Sequence, residues 1–187
     1  MSEVLIKSPA KINLYLQILD KRDDGYHNIK THLQLIDVYD HIKFKVSKNR
    51  NIYIKSKESY LNNEDNTIYN AAKKLQKYQK CNSFNGVEIE VDKNIPIGSG
   101  LGGASSNAAS TLIVLNKLWN LNLSEDKLMK IGATIGADVP FFVYGKNAYG
   151  EGIGEKLKEV DMITDKILIL NPNIHCSTKK MFSLYDK

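Results

Sequence analysis

Cysteine is scarce in this chain of 187 residues: there are two, Cys81 and Cys176. Neither has metal-ligand spacing, so both read as reduced bystanders. Long apolar runs are missing as well. None reaches the roughly 18 residues that cross a bilayer, so no membrane partner is expected. A charged, periodic segment begins at once and leaves no secretory pattern, which makes the cytoplasm the expected location. Internal repeats and low-complexity tracts are absent, and so is any arginine-rich cluster. The net charge of +5 comes from scattered lysines such as Lys43, Lys45, Lys55 and Lys57, most of them alternating with apolar residues. They read as a solvated face. No nucleic acid is expected, and an anionic small substrate is the other source of a positive balance. His32, His41 and His175 have no partner spacing that suggests a metal.

What the chain does have is glycine in one place. The stretch IPIGSGLGGASSNAAS holds four glycines within six positions: Gly98, Gly100, Gly102 and Gly103. Glycine lets backbone N–H groups converge, because no Cβ blocks the approach. A helical pattern follows, so unpaired N–H groups and the positive end of a helix dipole lie behind the loop. Ser105 and Ser106 add hydroxyls. This is an anion site, most often for phosphate; the bland alternative is a tight strand-to-helix turn. Walker A chemistry is excluded, because no lysine ends the loop. Gly98, Gly100 and Gly103 satisfy G-x-G-x-x-G, but no acidic residue ends a second strand about 20 residues on, as a dinucleotide fold requires.

Around the loop the periodicity mixes strands and helices. VLIKSPAKINLYLQIL reads as strand, break at Pro9, strand. HIKFKV, NIYIKS and VEIEVDKNI alternate with period two. DNTIYNAAKKLQKYQK reads as a helix capped by Asn66, and Ser124 caps another running to about Gly136. PFFVYG and DKILILN look like strands. Without a regular βαβ beat, the fold class is α+β, a mixed sheet packed with helices.

Four motifs in order carry a family resemblance: PAKIN at 9–13, DGYH at 24–27, PIGSGLGGASSNAA at 96–109 and GADVPFF at 136–142. Together they resemble the GHMP superfamily of small-molecule kinases. PAKINLYL with DGYH resembles the branch that acts on a cytidine diphospho-sugar-alcohol, rather than the galactose, homoserine or mevalonate kinases. The resemblance implies the fold of the GHMP N-terminal domain, similar to domain 2 of ribosomal protein S5, over residues 1–160. It implies that 161–187 opens a ferredoxin-like domain whose remainder is absent, so the chain is expected to be the N-terminal portion. The implied partners are ATP, with Mg2+ carried by its phosphates, and the cytidine compound. The expected assembly is a monomer or a homodimer.

The resemblance also implies site residues. Pro96, Ile97, Gly98, Ser99, Gly100, Leu101, Gly102, Gly103, Ala104, Ser105 and Ser106 match the ATP-phosphate loop, with Ala104 where the family commonly has glycine. Asn66 and Thr67 lie where the family contacts adenine. Asp138 matches a catalytic base, and its apolar neighbours suit a partly desolvated carboxylate with a raised pKa. Without the other motifs, it reads first as a helix-end or turn residue before Pro140. Lys11 matches a catalytic lysine, and Asn13, two residues along a strand, shares its face and is placed on the substrate side to orient the acceptor. Tyr26 and His27 match a cytidine pocket, with Phe182 a second stacking ring and Thr178 a substrate-side hydroxyl. No metal site built by the protein alone is expected. Two other readings stand beside this one: a catalytically silent nucleotide- or RNA-binding module, and a related kinase for another small alcohol.

Overall fold

The computed structural model describes residues 3–58, 66–79, 85–161, 166–172, 174, 181 and 184–186. Thr178 and Phe182 lie outside them, as do Cys81, Cys176 and His175.

Two long strands organise everything else. β1 (Glu3–Lys21) and β2 (His27–Ser47) pair antiparallel along most of their length. The second edge of β2 is shared. β4 (Gly86–Asp92) takes its C-terminal part, from His41 to Ser47, with β3 (Ile52–Ser56) parallel outside it. β5 (Ala148–Glu151) takes Thr31 to Leu33, with β6 (Lys156–Glu159) outside. The sheet is six-stranded and mixed, as its alternating patterns imply.

Period-two alternation decides which face is covered. In β4 the side chains of Val87, Ile89 and Val91 are buried while Glu88 and Glu90 face out. Ile42 and Phe44 of β2 join the same buried layer. Four helices supply its cover: α1 (Thr67–Gln76), α2 (Gly103–Leu118), α3 (Glu125–Ala133) and α4 (Val139–Tyr144). Asn66 caps α1 by accepting from the Ile68 N–H at 2.8 Å, and Ser124 caps α3 by accepting from Lys127. Helix α2 lies deepest. Its small residues Ser106, Ala108, Ala109, Ser110 and Thr111 are buried along with Leu112 and Leu115, which lets it sit between α1, α4 and β1.

Three local readings need correction. Pro9 does not break β1, because a proline without an N–H is tolerated at a bulge. The register moves from Pro9↔Tyr39 to Ala10↔Ile36, so the interruption is two extra residues on β2. PFFVYG is helix, not strand. A short helix buried on all sides shows no helical period in its sequence. Val139, Pro140, Phe141, Phe142 and Val143 are all buried, Pro140 sits in the first turn, and Gly145 ends the helix at φ +70°. Residues 166–171 form no strand, and Leu168 and Leu170 are exposed rather than paired into the sheet.

Candidate functional site

The glycine loop hangs from a small apolar cluster. Ile95 and Leu101 are buried against Ala10 of β1, with Ile12, Ile36 and Val38 around them. The Lys11 N–H donates to the Leu101 carbonyl at 2.9 Å, which ties the loop to β1 at the residue that matters most. Between these anchors the chain turns outward. Ser99 Oγ donates to the Pro96 carbonyl at 2.7 Å, and Ile97 is exposed.

Gly102 is the N-cap of α2, at φ +76°, and no side chain caps that helix. A Cβ at Gly102 would lie 2.8 Å from the Phe142 ring and 3.1 Å from Lys11 Cγ. Glycine is needed there both for the left-handed backbone and to admit those two side chains. Ala104 needs no such freedom, because it already lies in the first turn of α2. The Thr67 hydroxyl donates to the Ala104 carbonyl at 2.9 Å, so the start of α1 is joined to the start of α2. Asn66 is buried and spends its side-chain oxygen on its own cap.

The two serines separate in role. Ser106 is buried and exchanges a hydrogen bond with Ser8 Oγ at 2.8 Å, while Ser110 donates to Ser8 at 3.1 Å. Ser105 is half-buried, and its Oγ lies 3.5 Å from where a Cβ on Gly136 would be. It therefore stands between the loop and the segment leading to Asp138.

Lys11 is the buried cation of this site. Its side chain is 7% exposed, and its Nζ lies 3.7 Å from Asp138 Oδ2 and donates to Asn13 Oδ1 at 2.6 Å. Lys11 and Asn13 thus share a face, as their spacing requires. Asp138 precedes α4 but makes no capping bond, so its carboxylate is left to Lys11. It is 44% exposed. Its apolar sequence neighbours turn into the core, while Asp138 stays at the helix mouth, partly buried.

Other members of the site carried no sequence signal. A lysine was excluded from the loop by its sequence, yet the fold brings one from the end of β4. Lys93 Nζ lies 3.1 Å from the point that a Cβ on Gly103 would occupy. It is paired with Asp40, which is fully buried. Asp40 also accepts from the N–H groups of Asn94 and Ile95, at 2.7 and 2.8 Å, and from Asn107 Nδ2 at 2.9 Å. One carboxylate thus holds the entry to the loop and the first turns of α2. Its partners are 53 to 67 residues away in sequence, which no spacing rule reveals.

The DGYH segment forms the turn between β1 and β2, at the far end of the hairpin. Arg22 bonds both oxygens of Asp24 and holds that carboxyl below the usual carboxylate range. Asp24 Oδ1 also accepts from the Tyr26 N–H at 3.1 Å, and Gly25 takes φ +84°. The turn presents Tyr26 outward, 55% exposed. His27 is buried, with Nε2 2.7 Å from Asp186 Oδ1 and the Tyr185 ring edge-on at 6.0 Å. Lys21 also bonds Asp186 and is the main cause of that carboxyl's lowered pKa. Tyr26 and His27 are therefore neighbours in sequence with opposite exposures. Among the described residues, no group of three His, Cys, Asp or Glu is placed to hold a metal ion. Nor is any helix among them long and apolar enough to cross a membrane.

Known proteins share this fold. Residues 66–146 match the family described as GHMP kinases N terminal domain. A Marinomonas protein named 4-diphosphocytidyl-2-C-methyl-D-erythritol kinase is 44% identical over 98% of this chain and 60% of its own length. A Francisella philomiragia protein of the same name is 47% identical over 94% of this chain and 64% of its own. The chain therefore spans just over three fifths of these curated relatives. The crystal structure of 4-(cytidine 5'-diphospho)-2C-methyl-D-erythritol kinase superposes with a TM-score of 0.70 at 32% identity, over 86% of this chain and 56% of that one. The mevalonate kinase of Methanococcus jannaschii, at 19% identity and a TM-score of 0.62 over 86% of this chain and 56% of that one, shares the fold. Residues 66–146 thus match the GHMP kinase N-terminal domain, and the fold is one that GHMP kinases share.

Proposed function

We propose that the protein moves the γ-phosphoryl group of ATP to the 2-hydroxyl of 4-diphosphocytidyl-2-C-methyl-D-erythritol, a step of isoprenoid biosynthesis in the cytoplasm. The observation that carries this reading is the buried Lys11 ammonium, 3.7 Å from Asp138, beside an uncapped helix start behind a glycine loop. In that reading the N–H groups of the loop and the first turn of α2 take the ATP phosphates. Asp138 accepts the proton of the attacking hydroxyl. Lys11 stabilises the alkoxide as it forms and orients the Asp138 carboxylate. The hydroxyl oxygen bonds to the γ-phosphorus, the bond from that phosphorus to the β-phosphate oxygen breaks, and ADP leaves.

Mg2+ would arrive on the phosphates and spread their negative charge. The half-buried Ser105 hydroxyl suits it better than Ser106, whose oxygen is spent on Ser8. Asn66 and Thr67 are assigned to the adenine side through the joined starts of α1 and α2. Tyr26 is assigned to stacking on cytosine and His27 to its edge, with Thr178 and Phe182 beside them. Residues 1–160 are assigned to the nucleotide-binding domain, a boundary that agrees with β6 ending at Glu159.

The test is a coupled ADP-release assay with Mg-ATP. Release with the cytidine compound and not with galactose, homoserine or mevalonate is the expected result. Release with one of the other alcohols would displace the substrate, and no release alongside tight ATP binding would leave a nucleotide-binding module.

A further inference from the structure

Lys11 depends on Asn13, and Asn13 depends on a residue that no motif contains. The Asn13 amide has two unlike ends. Its Oδ1 accepts from Lys11 Nζ at 2.6 Å and its Nδ2 donates to Thr31 Oγ1 at 2.7 Å. The Thr31 hydroxyl has one proton, and that proton goes to the Tyr15 carbonyl at 2.8 Å. Towards Asn13 the hydroxyl therefore only accepts. The amide must turn its NH2 to Thr31, which forces its oxygen towards Lys11. A flipped amide would set NH2 against the ammonium, two donors with no acceptor, at a site where Lys11 is 7% exposed.

The backbone holds Thr31 in this role. It is buried, at 1% exposure, and pairs with Gly150 of β5. A Cβ on Gly150 would come within 3.2 Å of the Thr31 methyl, so the methyl is pressed onto β5 and the hydroxyl is turned to β1. The β1–β2 register slips by one residue between Asn13 and Tyr15, the two residues that Thr31 bonds.

We infer that Thr31 is a positioning residue for phosphoryl transfer: it fixes the orientation of the Asn13 amide, and through it the Lys11 ammonium that faces Asp138. The inference rests on the kinase reading of Lys11 and Asp138 given above. It assigns Thr31 no contact with ATP or with the alcohol.

Thr31→Val keeps the shape and removes the hydroxyl, whereas Thr31→Ser keeps the hydroxyl and loses the methyl. Both are made in the full chain. The steady-state expectation for Thr31→Val is a kcat lower by about tenfold or more, since small misplacements of a reacting group cost up to about a hundredfold. KM for ATP should stay unchanged, and Thr31→Ser should return kcat to near wild type. A purely structural role would lower both variants alike, or move only the melting temperature. A Thr31→Val kcat equal to wild type would overturn the inference.

A second readout needs no turnover. The side-chain NH2 resonances of Asn13 should be protected from solvent exchange in wild type and in Thr31→Ser, and unprotected in Thr31→Val. If wild type released no ADP with any alcohol, the kinase reading would fall. The Asn13 resonances would then decide the hydrogen-bond chain separately, and protection unchanged in Thr31→Val would refute it.

Discussion

The two ends of the β1–β2 hairpin are built differently. Near Ser8 to Asn13 the polar side chains are nested. Ser8, Lys11, Asp40 and Ser106 are all buried, and each has a partner within the chain. Towards the turn, Leu14, Tyr15, Leu16, Leu19 and Tyr26 are all more than 40% exposed. At the first end, cation, carboxylate and glycine loop are held together by contacts within the chain. The second end presents apolar and aromatic surface. Preorganised charge serves a reaction, because no reorganisation is then needed as charge moves. In the proposed function the open aromatic surface serves recognition, because a stacked ring only has to cover it.

The sharpest way to break this comparison is at Asp138. Asp138→Asn keeps the shape and removes the proton acceptor. Turnover should fall by about a hundredfold to ten-thousandfold, the usual worth of a positioned base. ATP affinity by calorimetric titration should hardly change. If the variant turned over like wild type, the base would lie elsewhere.

Gly102→Val strikes the same end by another route. From the sequence, a Cβ in this loop blocks the convergence of its N–H groups on the phosphates. The backbone shows a different target, since the Cβ would meet Phe142 and Lys11. Strain at positive φ adds roughly 1–3 kcal/mol. A lower melting temperature and weaker ATP binding should therefore appear together. A loss of nucleotide affinity at an unchanged melting temperature would restore the simpler view.

At the open end, Tyr26→Ala should weaken the cytidine ligand by about 1–3 kcal/mol, the worth of one stacked base. ATP affinity should be untouched, as a pair of titrations would record. An effect confined to ATP would erase the distinction between the two ends.

The smallest effect concerns acid. Lys21 and His27 both bond Asp186, whose carboxyl lies below its ordinary value of 3.8. A depressed carboxyl contributes its attraction above the ordinary value and loses it as pH falls below 3.8 through the lowered one. The Asp186 contact with His27 should hold at neutral pH and loosen only under strongly acidic conditions. NMR titration of the His27 ring in wild type and Asp186→Asn would show it. A release between pH 5 and 7 would contradict the sign.

Much of the first end was legible in the sequence, because its signals are local. Four glycines before a helical pattern specify a loop and a helix start, and a spacing of two puts Lys11 and Asn13 on one face. The caps at Asn66 and Ser124 were legible for the same reason. What stayed hidden depends on register or depth. Thr31 matters only because β2 lies beside Asn13 with a slip of one residue. Asp40 and Lys93 matter only because β2 and β4 bring them beneath the loop. Helix α4 was misread as a strand because burial on every side erases the helical period.

One experiment bears most directly on the contrast between the ends: mapping backbone amide shifts in the full chain on adding Mg2+ with a non-hydrolysable ATP analogue, and separately cytidine diphosphate. The expected result is two disjoint footprints. The ATP analogue should move the amides of residues 98–106, and cytidine diphosphate should move Tyr26 and His27. If the ATP analogue left the glycine loop unmoved, or both ligands shifted the same residues, the division between a reacting end and a recognising end would be wrong.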